Sequence, residues 1–379
     1  MKIVIAPDSF KESLSASEVA DCIQQGFQVH FPDAEYHLLP IADGGEGTLD
    51  ALLNATGGEK RTSEVEGPLG EMVKASWGLI DNGKKAVIEL AEASGLALVP
   101  PEKRNPELAS TFGTGELIRE ALDAGVEEII LGLGGSATND AGGGIAQALG
   151  VRLLDSYGNE LERGGKALST LAEIDLNNLH PKANQTRFTI ACDVDNPLTG
   201  STGASYIFGH QKGASDLQIE ELDECLGLFA DIAAQKISTN HRTTPGYGAA
   251  GGTALGLSLF SKPELRPGID IILETVEAEQ TIKDASLVIT GEGQMDNQTL
   301  HGKAPFGVAK LGKKYSVPVI GIAGSIGKDI DQLSRYFTAI FGTVRSPQTL
   351  AEALQEAEKN LINTTQNIAA NLIIGNTMR

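Results

Sequence analysis

Acidic side chains follow several apolar runs that have the character of buried strands. They are Asp8 after KIVIAP (2–7), Asp43 after YHLLPIA (36–42), and Glu292 and Asp296 after SLVIT (286–290). In a doubly wound sheet, ligands bind beyond the carboxyl ends of the strands. Carboxylates gathered there repel one another unless a cation or protons intervene. We therefore expect Mg²⁺, which favours carboxylate and phosphate oxygens, with Asp8, Glu292 and Asp296 as its ligands.

A glycine-rich segment, EIILGLGGSATNDAGGG at residues 128–144, joins a strand-like run to the start of a helix. Such a turn lets bare backbone amides approach a phosphate group. Gly134 and Gly135 allow the approach, and Ser136, Thr138 and Asn139 could donate further hydrogen bonds. The structural alternative is a tight strand–helix connection packed through small residues. The sequence holds neither GxGxxG in its first strand–helix turn nor GxxxxGK[ST], so a phosphate site here is of neither standard type.

A second group of acids follows the strand-like run FTIAC at 188–192, where Asp193 and Asp195 are joined by Asn196. The group repeats the arrangement of acids at strand ends, with Asn196 as a possible neutral ligand, although a turn rich in Asx residues would look the same.

Two lysines lie beside the acids of the terminal segments. Lys11 follows the first strand, and Lys303 lies in TLHGKAP with His301. Either lysine could neutralise charge in a phosphoryl-transfer transition state or bind a substrate carboxylate. An ordinary surface lysine is the alternative in both cases.

The composition limits the classes of function. The chain has 379 residues, a formal charge of −20 and only 5% aromatic residues, which disfavours nucleic acid and anionic membranes as partners. Its three cysteines form no CxxC pair, and no apolar run approaches the roughly 20 residues that span a bilayer. No secretory signal pattern follows Met1, so we expect a cytoplasmic protein. The sequence leaves the oligomeric state open, a homo-oligomer included.

The elements that must position these residues follow an α/β pattern. Two βα units at the N-terminus and three at the C-terminus predict one flavodoxin-like, doubly wound parallel sheet of order 2-1-3-4-5. Ser15 and Glu18 predict a capping box for the first helix. Ser346 and Pro347 predict the start of a terminal helix, whose buried stripe would be Leu350, Leu354, Ala357 and Leu361.

The middle of the chain is built differently and predicts an insertion. The flavodoxin-like domain would comprise residues 1–60 and 276–379, and an inserted α/β domain would comprise 61–275. Within the insertion, strand-like runs at 73–80 and 85–91 flank Asp81-Asn82-Gly83, which predicts a hairpin. Two domains also predict a cleft in which substrates are held.

Seven ordered segments, distributed over nearly the whole chain, resemble the type 1 glycerate kinase family. They are APDSFKESLSASE (6–18), LPIADGGEGTLDAL (39–52), STFGTGELI (110–118), GGSATNDAGGGIAQALG (134–150), CDVDNPLTGSTGASYIFGHQKGA (192–214), PGYGAAGG (245–252) and GEGQMDNQTLHGKAP (291–305). Two positions depart from the commoner family pattern: Ala141 replaces the usual glycine and His210 the usual proline.

The resemblance implies an ATP- and Mg²⁺-dependent kinase of D-glycerate. In the reading we favour, Asp43 or Asp193 positions or deprotonates the hydroxyl, Lys11 stabilises the transferring group, and Gly134 to Asn139, with Lys303, hold phosphates. The expected product is 2-phospho-D-glycerate, with 3-phosphoglycerate as the alternative. An NAD-dependent hydroxy-acid dehydrogenase and a non-enzymatic organic-acid sensor are the rival functions, and the missing GxGxxG counts against the first.

Overall fold

A computed structural model describes residues 1–42, 47–300, 303–328 and 330–377. The chain divides into two compact units. Unit 1 comprises Met1–Asp43, Asp50–Thr56 and Pro267–Arg379, and unit 2 comprises Gly44–Leu49 and Gly57–Arg266. No helix in the described ranges is long and apolar enough to cross a membrane.

Strands and helices alternate through much of the described chain. The strands are β1 (Lys2–Ile5), β2 (Glu35–Leu38), β3 (Glu59–Glu66), β4 (Met72–Ile80), β5 (Lys85–Glu89), β6 (Glu128–Gly132), β7 (Arg152–Leu154), β8 (Glu173–Asp175), β9 (Arg187–Ala191), β10 (Glu264–Arg266), β11 (Leu287–Met295), β12 (Val319–Ile326) and β13 (Ala339–Gly342). The α-helices are α1 (Ala16–Gln28), α2 (Thr48–Thr56), α3 (Leu90–Ser94), α4 (Phe112–Ala124), α5 (Gly143–Ala148), α6 (Ala204–Phe208), α7 (Asp216–Ile237), α8 (Thr253–Ser258), α9 (Gly268–Thr275), α10 (Ala278–Lys283), α11 (Ala304–Lys314), α12 (Leu350–Gln355) and α13 (Ala357–Thr377).

Unit 1 contains a parallel sheet with the strand order β13-β12-β11-β1-β2. Renumbered within the unit, this is the order 2-1-3-4-5, so the predicted α/β class and strand order are confirmed. The switch in strand order lies between β1 and β11, where Ile5 pairs with Ile289. The third strand is longer than the sequence indicated: β11 runs on to Met295, and Glu292 lies within it, opposite Ala323 of β12.

Of the two helix starts predicted for unit 1, one is confirmed and the other is wrong. Ser15 and Glu18 form the predicted capping box of α1, whose buried face includes Ile23 and Phe27. The terminal helix does not begin at Ser346 and Pro347. Thr349 caps α12 through a capping box with Glu352, because this pair satisfies two backbone N–H groups reciprocally.

Unit 2 is built around a mixed sheet of order β10-β9-β6-β5-β4-β3. The predicted hairpin is confirmed: β4 and β5 are antiparallel, and Trp77 pairs with Ile88. Asp81, Asn82 and Gly83 all have positive φ at the turn, as this short connection requires. From β5 to β10 the neighbours run parallel, so β5, β6 and β9 end at one edge of the sheet. A small antiparallel pair, β7 and β8, forms a separate two-stranded sheet.

Candidate functional site

A cleft of about 340 Å³ in unit 1 collects several of the sequence-predicted residues. Asp8 and Lys11 reach it from the segment after β1, Glu292 from β11, and Lys303 from the residue before α11. The cleft lies beside the carboxyl ends of two adjacent parallel strands, which is where a doubly wound sheet binds ligands. The structure therefore brings four of the predicted site residues together.

Glu292 is the most buried carboxylate of the cleft, with 5% of its surface exposed. Its two oxygens accept hydrogen bonds from the Thr299 hydroxyl at 2.7 Å and from the Lys303 ammonium group at 2.9 Å. Burial raises the pKa of Glu292, and the bonds from Thr299 and Lys303 oppose that shift. The Glu292–Lys303 pair therefore combines a partly buried negative charge with a cation that a ligand could share.

The other two acids predicted to bind a metal differ from each other. Asp8 is buried, and its Oδ1 accepts a hydrogen bond from the Ser9 backbone N–H at 2.6 Å. Asp296 accepts bonds from the Gln294 side chain and the Gln298 backbone, and it is not among the residues that line the cleft.

The carboxylates of the cleft suit a magnesium ion only when phosphate oxygens supply further ligands. Over the described ranges, no three His, Cys, Asp or Glu side chains gather closely enough to form a metal site of their own. Mg²⁺ usually takes one or two carboxylates, with phosphates and water as the remaining ligands. Asp8 and Glu292, which share one cleft, fit that mode. The expected set of three carboxylates including Asp296 stays a prediction.

The glycine-rich segment lies in unit 2, after the central strand β6. Gly134 and Gly135 are exposed, whereas the side chains of Ser136, Thr138 and Asn139 are buried. The turn is held by the backbone of residues 94–96, because Leu96 donates to the Gly135 carbonyl and Ala137 donates to the Ser94 carbonyl. The part of the turn that faces solvent is therefore its glycine backbone rather than its hydroxyl groups.

Behind this turn lies a pair of buried charged groups that the sequence analysis missed. Lys212 is 2% exposed, and its ammonium group donates to the Thr138 carbonyl at 2.6 Å. Asp140 is also buried and accepts from the Thr111 N–H and hydroxyl and from the N–H groups of Gly142 and Gly144. Burial raises the pKa of Asp140 against the lowering effect of these bonds. Both residues lie in segments that carry the family resemblance, 134–150 and 192–214, and this was the sequence feature that could have identified them.

The glycine-rich loop and the segment around residue 250 also contain unusual backbone conformations, and the loop contains unsatisfied polar atoms. Ala141 has φ 55° and Ala250 has φ 47°, left-handed conformations that non-glycine residues seldom adopt. The Ala141 N–H donates to the Gly251 carbonyl, which ties the two segments together. Among the described residues, the buried atoms without a hydrogen-bond partner include Thr138 Oγ1 and Asn139 Oδ1. Strain and unsatisfied polar groups of this kind concentrate at functional sites.

The remaining predicted residues are placed as follows. Asp193 is exposed just beyond β9, at the sheet edge where β6 also ends, because Gly132 pairs with Ala191. Glu89, which sequence reasoning did not single out, ends β5 at that edge and accepts a hydrogen bond from the Leu49 N–H at 3.0 Å. Asp43 and His301 lie outside the described residues, so the role proposed for Asp43 stays a prediction.

The chain resembles known proteins over nearly its whole length. Residues 3–373 match the glycerate kinase family. The chain is 51% identical over 379 residues to a glycerate kinase of Bacillus subtilis, covering 100% of this chain and 99% of the relative. It is 51% identical over 376 residues to the glycerate 2-kinase of Escherichia coli, covering 99% of both.

A crystal structure of a protein from Salmonella typhimurium LT2, assigned as glycerate kinase 2, superposes on the chain with a TM-score of 0.92. The two chains are 50% identical, and the match covers 100% of this chain and 99% of the other. The chain is therefore a kinase that belongs to the glycerate kinase family.

Proposed function

We propose that this protein transfers the γ-phosphoryl group of ATP to D-glycerate and forms 2-phospho-D-glycerate. The observation that carries the proposal is the unit 1 cleft, in which Asp8, Lys11, Glu292 and Lys303 meet at the carboxyl ends of β1 and β11. Membership of the glycerate kinase family supplies the substrate class, since relatives that match over nearly the full length carry that name.

Phosphoryl transfer needs positioning and charge neutralisation more than covalent chemistry from the protein. Lys11 and Lys303 supply two positive charges beside the acids of the cleft. Lys11 would stabilise the transferring group, and Lys303 would hold a phosphate oxygen while Glu292 fixes the lysine side chain. The exposed amides of Gly134 and Gly135 in unit 2 would offer further donors to phosphate oxygens.

Mg²⁺ would be held by Asp8 and Glu292 together with nucleotide phosphates, and it would neutralise the negative charge on those phosphates. Asp43 or Asp193 would orient or deprotonate the acceptor hydroxyl, a role that their residue type and position after strands support. The idea that the substrates meet between the two domains rests on the sequence and stays a prediction.

Which hydroxyl of glycerate is phosphorylated depends on how the glycerate carboxylate is bound. If a cation of the site binds the glycerate carboxylate, the carbon 2 hydroxyl lies one bond nearer to that anchor than the carbon 3 hydroxyl. A compact site would therefore present carbon 2 to the phosphate. The name of the Escherichia coli relative, glycerate 2-kinase, favours the same carbon.

A coupled assay tests the reaction and the position together. The protein is supplied with D-glycerate, ATP and Mg²⁺, followed by enolase and pyruvate kinase without phosphoglycerate mutase. We expect prompt formation of pyruvate. In a separate direct assay of ADP release without the coupling enzymes, which themselves need Mg²⁺, we expect excess EDTA to abolish turnover. A signal that appears only when mutase is added would show that the product is 3-phosphoglycerate, and ADP release without either phosphoglycerate would refute the proposed acceptor.

A further inference from the structure

One wall of the unit 1 cleft is apolar and faces solvent. Val344, which follows β13, is 42% exposed, and Leu350, the first residue of α12, is 72% exposed. Leu354 lies one turn further along α12 and lines the same cleft. The sequence analysis placed Leu350 in a buried stripe, and this was wrong. The helix starts later than expected, at the capping box of Thr349, and its first residue is exposed.

This apolar wall shares its cleft with the charged groups described above. Lys11, Glu292 and Lys303 line the cleft together with Val344, Leu350 and Leu354. The cleft therefore suits a ligand with an apolar part and an anionic part. A three-carbon hydroxy acid has almost no apolar surface to bury against two leucines and a valine, whereas a nucleotide joins a flat heteroaromatic ring to a chain of phosphates.

We propose that Val344, Leu350 and Leu354 form the subsite for the base of the donor nucleotide, with its phosphates directed towards Lys11 and Lys303. This inference rests on the proposed function in one respect, namely that the donor is a nucleotide. A second copy of the chain is a poorer occupant, because three side chains in a concavity offer far less than the roughly 800 Å² per partner that a stable interface buries.

Leu350 is a suitable residue to test because its side chain is exposed and its removal leaves no core cavity. In the variant Leu350→Gln, a neutral polar group replaces the apolar contact and the capping box of Thr349 and Glu352 is retained. The matched control is Leu217→Gln. Leu217 is 65% exposed and lies in the first turn of α7, between Ser215 and Gln218, which form the capping box of that helix.

The measurement is calorimetric binding of ADP and, separately, of inorganic tripolyphosphate, which has no base. We expect Leu350→Gln to raise the Kd for ADP about tenfold while the Kd for tripolyphosphate changes less than about twofold. Leu217→Gln should change neither. We also expect Leu350→Phe, which restores an apolar side chain, to bind ADP as the wild type does.

Several results would overturn the inference. Unchanged ADP binding by Leu350→Gln, or no ADP binding by the wild type, would place the base elsewhere. An equal loss of ADP and tripolyphosphate binding would assign the effect to the phosphates. A wild-type assembly that falls apart in Leu350→Gln during sedimentation would make the wall a self-association surface. Binding is measured without turnover. The base subsite is therefore supported if Leu350→Gln weakens the binding of ADP but not that of tripolyphosphate, even when glycerate is not phosphorylated.

Discussion

Lys212 is a buried cation whose ammonium group contacts the glycine-rich loop. Burial lowers its pKa to about 8, and the neighbouring Asp140 carboxylate opposes that shift. Lysine in an unfolded chain has a pKa near 10.4. Between these two values the unfolded chain binds more protons than the folded protein, so stability increases with pH in this window. Below about pH 8 the lysine is charged in both states and the penalty of burying the charge is fully present.

We therefore expect the wild type to gain stability relative to Lys212→Met as the pH rises from 8 to 10. The gain is at most about 1.4 kcal/mol per pH unit, and groups that titrate equally in both proteins cancel. Urea unfolding followed by the fluorescence of Trp77 measures it, because Trp77 is the single tryptophan of the chain and is buried in unit 2 with Lys212. A stability difference that does not vary with pH would contradict the assignment.

Gly135 is the residue at which close approach to a ligand can be tested. Its φ is 71°, and a β-carbon there would lie 3.3 Å from the Ala91 side chain. Gly135→Ala should cost about 1 kcal/mol of stability through its left-handed backbone. We also expect it to raise the KM for ATP about tenfold, because the methyl group would obstruct the exposed amides of the turn.

A matched substitution separates the functional effect from the strain. Gly158 also has a positive φ, 82°, and a β-carbon there would meet no atom within 4 Å. Gly158→Ala should therefore lower stability by a similar amount and leave the KM for ATP unchanged. If steady-state kinetics give both variants the same KM, the glycine-rich turn serves the fold and not the nucleotide.

At the scale of elements, short-range signals predicted well. The capping box of α1, the β4–β5 hairpin and the strand β1 each depend on residues close together in sequence, and all are present. The start of α12 was misjudged because two capping signals compete within four residues, and the Thr349–Glu352 box forms where Ser346 and Pro347 do not.

The site was less predictable because its partners are distant in sequence. The hydrogen bond from Lys212 to Thr138 spans 74 residues, and no local pattern distinguishes a buried lysine from a surface one. Asp8 and Glu292 were expected to lie close together because parallel strands end at one sheet edge, a rule that needs only the strand order, and both line one cleft. The rule does not tell how each side chain is hydrogen-bonded, so the role expected of Asp296, which accepts bonds from Gln294 and Gln298, stays a prediction.

The C-terminal end of α7 offers a prediction at the same scale. Ser238 ends the helix with φ 59°, and its backbone N–H donates to the Ala234 carbonyl. This is the position at which helices favour glycine. Ser238→Gly should raise stability by about 0.5 to 1 kcal/mol, whereas Ser238→Ala, which keeps a β-carbon in the left-handed region, should not. Thermal unfolding of the two variants checks this, and equal midpoints would show that the left-handed cap carries no strain.

At the scale of the whole molecule, unit 1 is assembled from both ends of the chain. β1 lies between β2 and β11, so a strand from the first five residues pairs with one from residues 287–295. The last helix, α13, packs on α1, and a β-carbon on Gly26 would collide with Thr365. Leu361 and Ile368 of α13 share a core cluster with Ile23 of α1. Unit 2 has a separate core cluster that includes Trp77 and Phe188.

Removing α13 should therefore unfold unit 1 and leave the core of unit 2 intact. A chain that ends at residue 356 loses Leu361 and Ile368, each worth about 2 to 5 kcal/mol as a buried side chain, against a typical total stability of 5 to 15 kcal/mol. We expect hydrogen exchange to show lost protection in β1 and β11, while Trp77 keeps its native fluorescence. A full-length chain that carries Leu372→Gln, at an exposed position of α13, is the control and should change neither signal. Protection of β1 that survives the larger deletion would mean that α13 is dispensable for the fold of unit 1.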